Sequence, residues 1–428
     1  MMQPHRSTPI SRDHSVATLR PFKGFRPTQE HATQVASKPY DVLSSDEAQS
    51  EAAGNPLSFL HVGKPEIDLP SDISPYDESV YQKGKKNLQK LIKDGILKED
   101  PTPCFYLYGQ SSGSHKQYGI VGCASVAEYL NTTIRKHELT RQDKEDDRTN
   151  HILATNAHTG PVFLTYRSME QLDDIANAIR LGTPVIDFTA DDGVRHQLWI
   201  ISDREAIASI SSAFKKVPFL YIADGHHRCA AAARAAKKRA DTNARHTGEE
   251  EYNFFLAVIF PHNQVHIMGY NRVVKDLCGR SPGQLVEELK KRFDVKPEHA
   301  PVRPSTKGEF GMYLDKSWYR LRCNPEILAN IDPVKRLDVS ILQMQVLAPL
   351  LGIEDQRTSK RIDFVGGIRG LKELENRVDT GEMAVAFSLF PTSIEELLTV
   401  ADAGHIMPPK STWFEPKLRD GVVVHFLD

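Results

Sequence analysis

The apolar run 219–223 (Phe-Leu-Tyr-Ile-Ala) ends in Asp224 and Gly225 and passes, with no linker, into the Ala-rich stretch 229–240. An apolar run of strand length, a glycine, and then a series of the best helix formers predict a strand, a tight turn and a helix in direct succession. At such a junction the first helical N–H groups point at one place, and the helix dipole favours an anion there. Gly225 can take the backbone angles a tight turn needs, and without a Cβ it lets a phosphate come close. Arg228 supplies a planar fork suited to phosphate oxygens, and His226 and His227 can donate hydrogen bonds or move protons. Asp224 can hold a magnesium ion or accept a proton from a hydroxyl. Two other readings of the run stay open. One is a transition-metal centre made by the two histidines with Asp224, although adjacent residues rarely point at one ion and the i,i+4 spacing of HExxH is missing. The other is an ordinary helix start that Asp224 caps, with solvated histidines.

A chain of 428 residues can bury a large core, and its length points to two or three domains. Lys and Arg number 54 against 56 Asp and Glu, so a net charge of -2 gives no field to attract a nucleic-acid backbone, and no nucleic-acid partner is expected. The five cysteines (Cys104, Cys123, Cys229, Cys278, Cys323) show no metal-type spacing and fit free thiols in a reducing compartment. No apolar run approaches the roughly 18 residues of a membrane helix, so a cytoplasmic protein with no membrane partner is expected. Residues 1–16 are expected to form a flexible polar tail, with an organelle-targeting peptide as the alternative reading of 1–15.

Strands are expected at 16–22, 104–107, 118–124, 161–166, 194–201, 252–260 and 264–268, and helices at 77–97 and 171–181. A further helix should start at Ser45, read as its N-cap. The charge-dense segment 131–150 reads as a surface-lying loop or helix. Cys278, Gly279 and Pro282 punctuate the chain, so a core over 17–277 and a C-terminal α/β region over 278–428 are expected. The latter should hold helices at 282–293 and 339–351, strands at 311–314, 318–322 and 383–389, and a last strand at 422–426. The fold class is mixed α/β.

Four strings occur in order: 38–44, with Pro39 enforcing an extended chain before Tyr40 and Asp41; 137–140 (His-Glu-Leu-Thr) with Lys144, Asp147 and Arg148; 223–228 (Ala-Asp-Gly-His-His-Arg); and 407–412 (Met-Pro-Pro-Lys-Ser-Thr) with Phe414, Pro416 and Lys417. From about Leu19 to the C-terminus the chain resembles a widespread family described only as a domain of unknown function and similar to the free L-serine kinases. The resemblance implies a ParB/sulfiredoxin-like nucleotide-binding core and an additional C-terminal region that completes the cleft. It also implies a kinase moving a phosphoryl group from ATP or ADP, with Mg2+, to the hydroxyl of free L-serine or a related small hydroxy compound.

By position, Glu138, Asp224 and His227 then become the catalytic candidates, and Gly225, His226, His227, Arg228 and Lys410 the nucleotide contacts. Asp41, His137, Arg148 and Arg272 become substrate contacts, and Asp224 and Glu138 the metal ligands. The turn itself is expected to be exposed, with side chains free to serve a ligand. The chain departs from the family at Tyr270-Asn271-Arg272, where a Thr-His-Arg run is usual, and at Cys229, where an aromatic residue is common. A ParB-like nucleotide-binding regulatory or nucleic-acid-associated module without kinase activity is the competing reading. For the string 407–417 the alternatives are an anion contact through Lys410 and a structural crossing that packs Trp413 and Phe414 into the core.

Overall fold

The computed structural model describes residues 16–329 and 331–428, so the readings of 1–15 lie outside the described residues. The fold is mixed α/β, built on two sheets. The larger has nine strands, running in space from Ile134–Arg135 through Leu220–Asp224, Val162–Tyr166, Phe254–Pro261, His115–Ser125, Phe105–Ser112 and Arg195–Ile201 to Ile186–Thr189, with Leu19–Arg20 paired on His115–Ser125. Leu220–Asp224 runs parallel to Ile134–Arg135 and antiparallel to Val162–Tyr166, which itself runs parallel to Phe254–Pro261. Strands such as Phe254–Pro261 are buried along their whole length, which is why they read as continuous apolar runs and not as alternating ones.

The helix His226–Thr242 turns Cys229, Ala230, Ala231, Ala232, Ala235 and Ala236 inward, and these small side chains let it pack closely on the helix Gln142–Thr155. Together with Glu170–Ile179 and Arg204–Phe214 these helices share one hydrophobic core with a face of the large sheet. The opposite face contributes Tyr108, Phe163 and Phe260 to a core that continues into the second sheet through Phe310, Met312 and Phe387.

That second sheet is antiparallel, in the order Phe293–Glu298, Ser317–Cys323, Glu309–Leu314, Val385–Leu389, Tyr270–Val274, Ile362–Gly366. The chain leaves the first sheet after Phe254–Pro261, runs through His266–Met268 in a separate two-stranded sheet and enters the second sheet at Tyr270, ahead of the Cys278–Pro282 punctuation. It then comes back. Trp413–Glu415 pairs with His266–Met268, Asp420 bridges Ser37, Val424 bridges Phe25, and His425–Phe426 pairs with Ala157–His158. The C-terminal stretch from Trp413 onward is therefore threaded across the first unit, with Phe414 buried in the core.

Several local expectations shift. Ser44, not Ser45, caps the helix Ser45–Ala52, because Ser44 and Glu47 close a reciprocal capping box, while the Ser45 hydroxyl bonds Glu66 at 2.9 Å. The expected last strand shortens to His425–Phe426, and the helix read at 339–351 is Asp338–Leu342 followed by a π turn at Gln343–Leu347. The segment 131–150 is not simply a surface element. Ile134 is fully buried in the edge strand Ile134–Arg135, and His137, Asp147 and Thr149 are buried, since Asp147 is paired with Arg148 and with the Tyr81 hydroxyl. Among the described residues no helix is long and apolar enough to cross a membrane.

Candidate functional site

Leu220–Asp224 leads directly into a glycine in the left-handed region, Gly225 at φ 98° and ψ 31°, and the helix begins at His226. An L side chain is strained at that φ, and a Cβ there would lie 3.3 Å from Arg228 Nε. As N-cap, Gly225 offers no side chain to the first-turn amides, which leaves the positive end of the helix for an anion.

Around this turn the structure gathers residues from four distant parts of the chain. Lys417 Nζ donates to Asp224 Oδ2 at 3.0 Å. Burial opposes ionisation of Asp224, yet the Lys417 and Arg228 cations overcome it and hold the carboxyl well below its usual range. Arg228 Nη2 donates to Asp41 Oδ2 at 3.4 Å and Nη1 to the Pro161 carbonyl, while its buried Nε has no partner among the described residues. Asp41 sits on the short 3-10 turn Tyr40–Val42, entered through Pro39 in an extended conformation. Burial raises Glu138 above the ordinary carboxylate range, with Lys410 opposing and Asp224 and Asp41 adding to the rise. Lys410 stands at the mouth, exposed to solvent at φ 57°, its ammonium 5.8 Å from the Tyr270 ring centre and within the fields of Glu138, Asp41 and Asp224.

The histidines are not solvated. His226 and His137 are buried with ring centres 4.4 Å apart and planes at 89°, and burial pushes His137 down to about 4 and His226 well below its ordinary value. His227 is half-buried, its Nε2 accepting from the Arg141 N–H at 3.1 Å, and burial lowers its pKa too. The expectation of an exposed turn is thus corrected: Gly225, His226 and Arg228 are buried by the string 38–44 and the segment after Ile134–Arg135, and only part of Asp224 and His227 reaches solvent.

Two residues expected to contact substrate are held by partners of their own, and Arg148 lines the small cavity that Tyr40 and Arg228 also line. Arg148 is stacked 4.1 Å from the centre of the Tyr40 ring and bonded to Asp147 Oδ2 and the Gly63 carbonyl, so it stands behind Tyr40. Arg272 is 0% exposed, and its guanidinium donates to the carbonyls of Tyr270 and Pro409 and to Gln356 Oε1. Burial lowers its pKa to about 9. Its place is beneath the loop that carries Lys410, and it does not face the cleft.

Lys417 is visible in the sequence only as one cation of the C-terminal string. Asp420 has no local signal at all. It is buried, shares the lining of a 30 Å³ cavity with Tyr40, Arg148 and Arg228, and burial raises its carboxyl to about 7. The arrangement brings Arg228, Lys410 and Lys417 and the carboxylates of Asp41, Asp224 and Glu138 together around the glycine turn, a set of groups suited to neutralising anionic charge and moving a proton.

Solved structures that match the chain include a conserved hypothetical protein from Pyrococcus furiosus, 16% identical over 71% of this chain and 93% of that one, with a TM-score of 0.34. A free serine kinase in complex with AMP is 13% identical over 72% and 91%, with a TM-score of 0.36. A mutant free serine kinase in complex with ADP is 14% identical over 72% and 92%, with a TM-score of 0.35. No curated protein matches the chain. The family model described as "protein of unknown function (DUF1015)" matches residues 19–340, and the chain belongs to that family.

Proposed function

We propose that this protein is a small-molecule kinase that transfers a phosphoryl group from ATP or ADP to the hydroxyl of free L-serine or a related hydroxy compound. The observation that carries the reading is the convergence of Arg228, Lys410 and Lys417 with Asp41, Asp224 and Glu138 on the uncapped start of the helix His226–Thr242. The four ordered sequence strings resembling serine-kinase relatives supply these same residues. In this reading the strand, glycine turn and helix are the nucleotide-holding element of a ParB/sulfiredoxin-like core over 17–277, and the region 278–428 completes the cleft by delivering Lys410 and Lys417.

Phosphoryl transfer asks a protein for position and charge neutralisation more than for covalent chemistry. The helix-start amides at Gly225 and His226, with His227, Arg228 and Lys410, hold the phosphates. Asp41 orients the acceptor. Glu138, whose raised pKa matches it to proton uptake, takes the hydroxyl proton as the acceptor oxygen bonds to the terminal phosphorus and the bond to the leaving phosphate opens. Asp224 and Glu138 offer the hard oxygen set that Mg2+ prefers, and their mutual repulsion is what a divalent ion relieves; when bound, the ion neutralises phosphate charge.

The test is to incubate the pure protein with ATP or ADP, Mg2+ and a panel of hydroxy amino acids and to follow 31P NMR. A phosphomonoester resonance that appears only with serine or a close analogue supports the reading. Nucleotide bound or hydrolysed with no acceptor phosphorylated overturns it in favour of a nucleotide-binding regulator.

A further inference from the structure

Behind the phosphate turn, His137, Glu138 and His226 each offer one ligand atom, and those atoms lie within 4.8 Å of one another. We infer that these three residues bind one divalent transition-metal ion of the Zn2+ class. Three observations support a site over a simple aromatic contact in the core. His137 is 2% exposed, and among the described residues neither of its ring nitrogens makes a well-formed hydrogen bond, the Ile222 carbonyl lying toward the ring without completing one, a state that buried polar groups seldom keep unless a ligand completes them. The hydrogen bond that the His226 ring does make comes to Nε2 from the His137 N–H at 3.4 Å, too long to hold that lone pair firmly. The Ile222 carbonyl faces the His137 ring, which is the kind of acceptor a metal-bound imidazole takes for its second nitrogen.

The donor set is two imidazoles and one carboxylate. That set selects Zn2+, Co2+ or Mn2+ over Mg2+, and three protein ligands leave a position open toward the cleft. Ligands about 2.1 Å from a tetrahedral ion stand roughly 3.4 Å apart, so the groups need only small rotations to close on it. His137 and Glu138 are neighbours in sequence, but the chain bends at Glu138 outside any helix or strand, which lets both side chains turn toward His226. The inference stands on this geometry and does not rest on the kinase reading. If Glu138 serves this ion, the magnesium of the nucleotide is left to Asp224 and Asp41.

The experiment strips the full-length protein with a chelator, titrates it with Co2+ while recording the visible spectrum, and measures retained Zn2+ by mass spectrometry after desalting. One ion per chain is expected, with a d–d absorption typical of a low-coordinate nitrogen and oxygen site. His137→Ala and His226→Ala should each weaken retention by about 100-fold or more, at or beyond the upper end of what losing an outer-shell partner costs. Should either variant misfold, Glu138→Gln decides, since Glu138 is partly exposed; it should weaken retention by about 10-fold with an unchanged circular dichroism spectrum. His266→Ala, which breaks the surface pair of His115 and His266, should leave retention unchanged. No retained ion, retention unaffected by Glu138→Gln, or retention abolished by His266→Ala overturns the inference. Metal content and colour are read without turnover, so failure of this site and failure of the kinase reading are separable.

Discussion

Lys417 Nζ lies 3.0 Å from Asp224 Oδ2 although the two residues are 193 positions apart, and this pair ties the C-terminal return of the chain to the Asp224–Gly225 turn. Side-chain exposures of 15% and 27% mean the pair is screened only in part. Lys417→Ala leaves the Asp224 carboxylate half-buried without its nearest cation. It should lower stability by up to about 3 kcal/mol, the low end of the range for breaking a buried pair, measured by urea unfolding at pH 7. The folded pKa of Asp224 is depressed, so its contribution is present above the unfolded value and is lost as pH falls through the folded one. The wild-type advantage over Lys417→Ala should therefore shrink below about pH 4. An undiminished gap at pH 2 contradicts the pairing.

Lys410→Ala should separate function from stability. The side chain is exposed to solvent, with Tyr270 as its near neighbour and Glu138, Asp41 and Asp224 acting on it through their charge. Affinity for ADP, measured by calorimetry, should fall by about 5- to 30-fold, the size of an ordinary charged contact of about 1–2 kcal/mol, with a melting temperature within a degree or two of wild type. Unchanged affinity removes Lys410 from the phosphate site.

At the turn itself, His227→Ala is the informative variant and Arg228→Ala the ambiguous one. Arg228 is buried and bonds Asp41 and the Pro161 carbonyl, so its loss should destabilise the fold by on the order of 2–3 kcal/mol as well as weaken nucleotide binding. His227 makes a bond to the Arg141 N–H on the exposed side of the turn, and its replacement should lower turnover or nucleotide affinity while thermal unfolding changes little. If turnover and nucleotide affinity both match wild type in His227→Ala, His227 has no part in the site.

Glu138 carries a pH prediction for catalysis. If it acts as a base with no ion on its carboxylate, it must be ionised, and because burial raises its pKa turnover should rise with pH through a value above the ordinary glutamate range; a metal-bound Glu138 shows no such limb. Glu138→Gln should cost about 10²- to 10⁴-fold in turnover and erase that acid limb. A variant that keeps the limb shows that another group titrates.

Asp420 carries one for stability. Its folded pKa is raised to about 7, against an unfolded value near 3.9. The folded state therefore holds this proton more tightly, and stability falls as pH rises from about 4 to 7, by roughly 1.4 kcal/mol per pH unit across that window. Asp420→Asn mimics the protonated form and should gain on wild type as pH is raised from about 5 to 8 in denaturant titrations. A parallel pair of pH curves rules this out.

The mixed α/β class, the strand–turn–helix at Asp224 and the order of the four strings were legible in the sequence because each depends on neighbours along the chain. Apolar runs of strand length, a glycine before a helix, and an Ala-rich stretch act over a few residues, and backbone sterics make their outcome local. Those strands that were expected followed for the same reason, most within a few residues at their ends, whereas Tyr270–Val274, Phe293–Glu298 and Ile362–Gly366 of the second sheet were not read from the sequence. Which charges face inward was not legible. The segment 131–150 has the composition of a solvated face, yet His137 and Asp147 are buried, because Tyr81 and His226 arrive from other elements to meet them, with Arg148 of the same helix pairing Asp147. Arg272 shows the same limit: nothing around it in the chain marks it as fully buried, and besides the nearby Tyr270 carbonyl its guanidinium is received by Gln356 and by the Pro409 carbonyl, which come from distant segments. The C-terminal string contained the cations for the site, but the pairing of Trp413–Glu415 with His266–Met268 and the bridge from Asp420 to Ser37 decided that Lys417 meets Asp224. Local sterics and propensity are written in consecutive residues, whereas burial and ion pairing depend on which distant segments share a volume, and that is decided only when the chain packs.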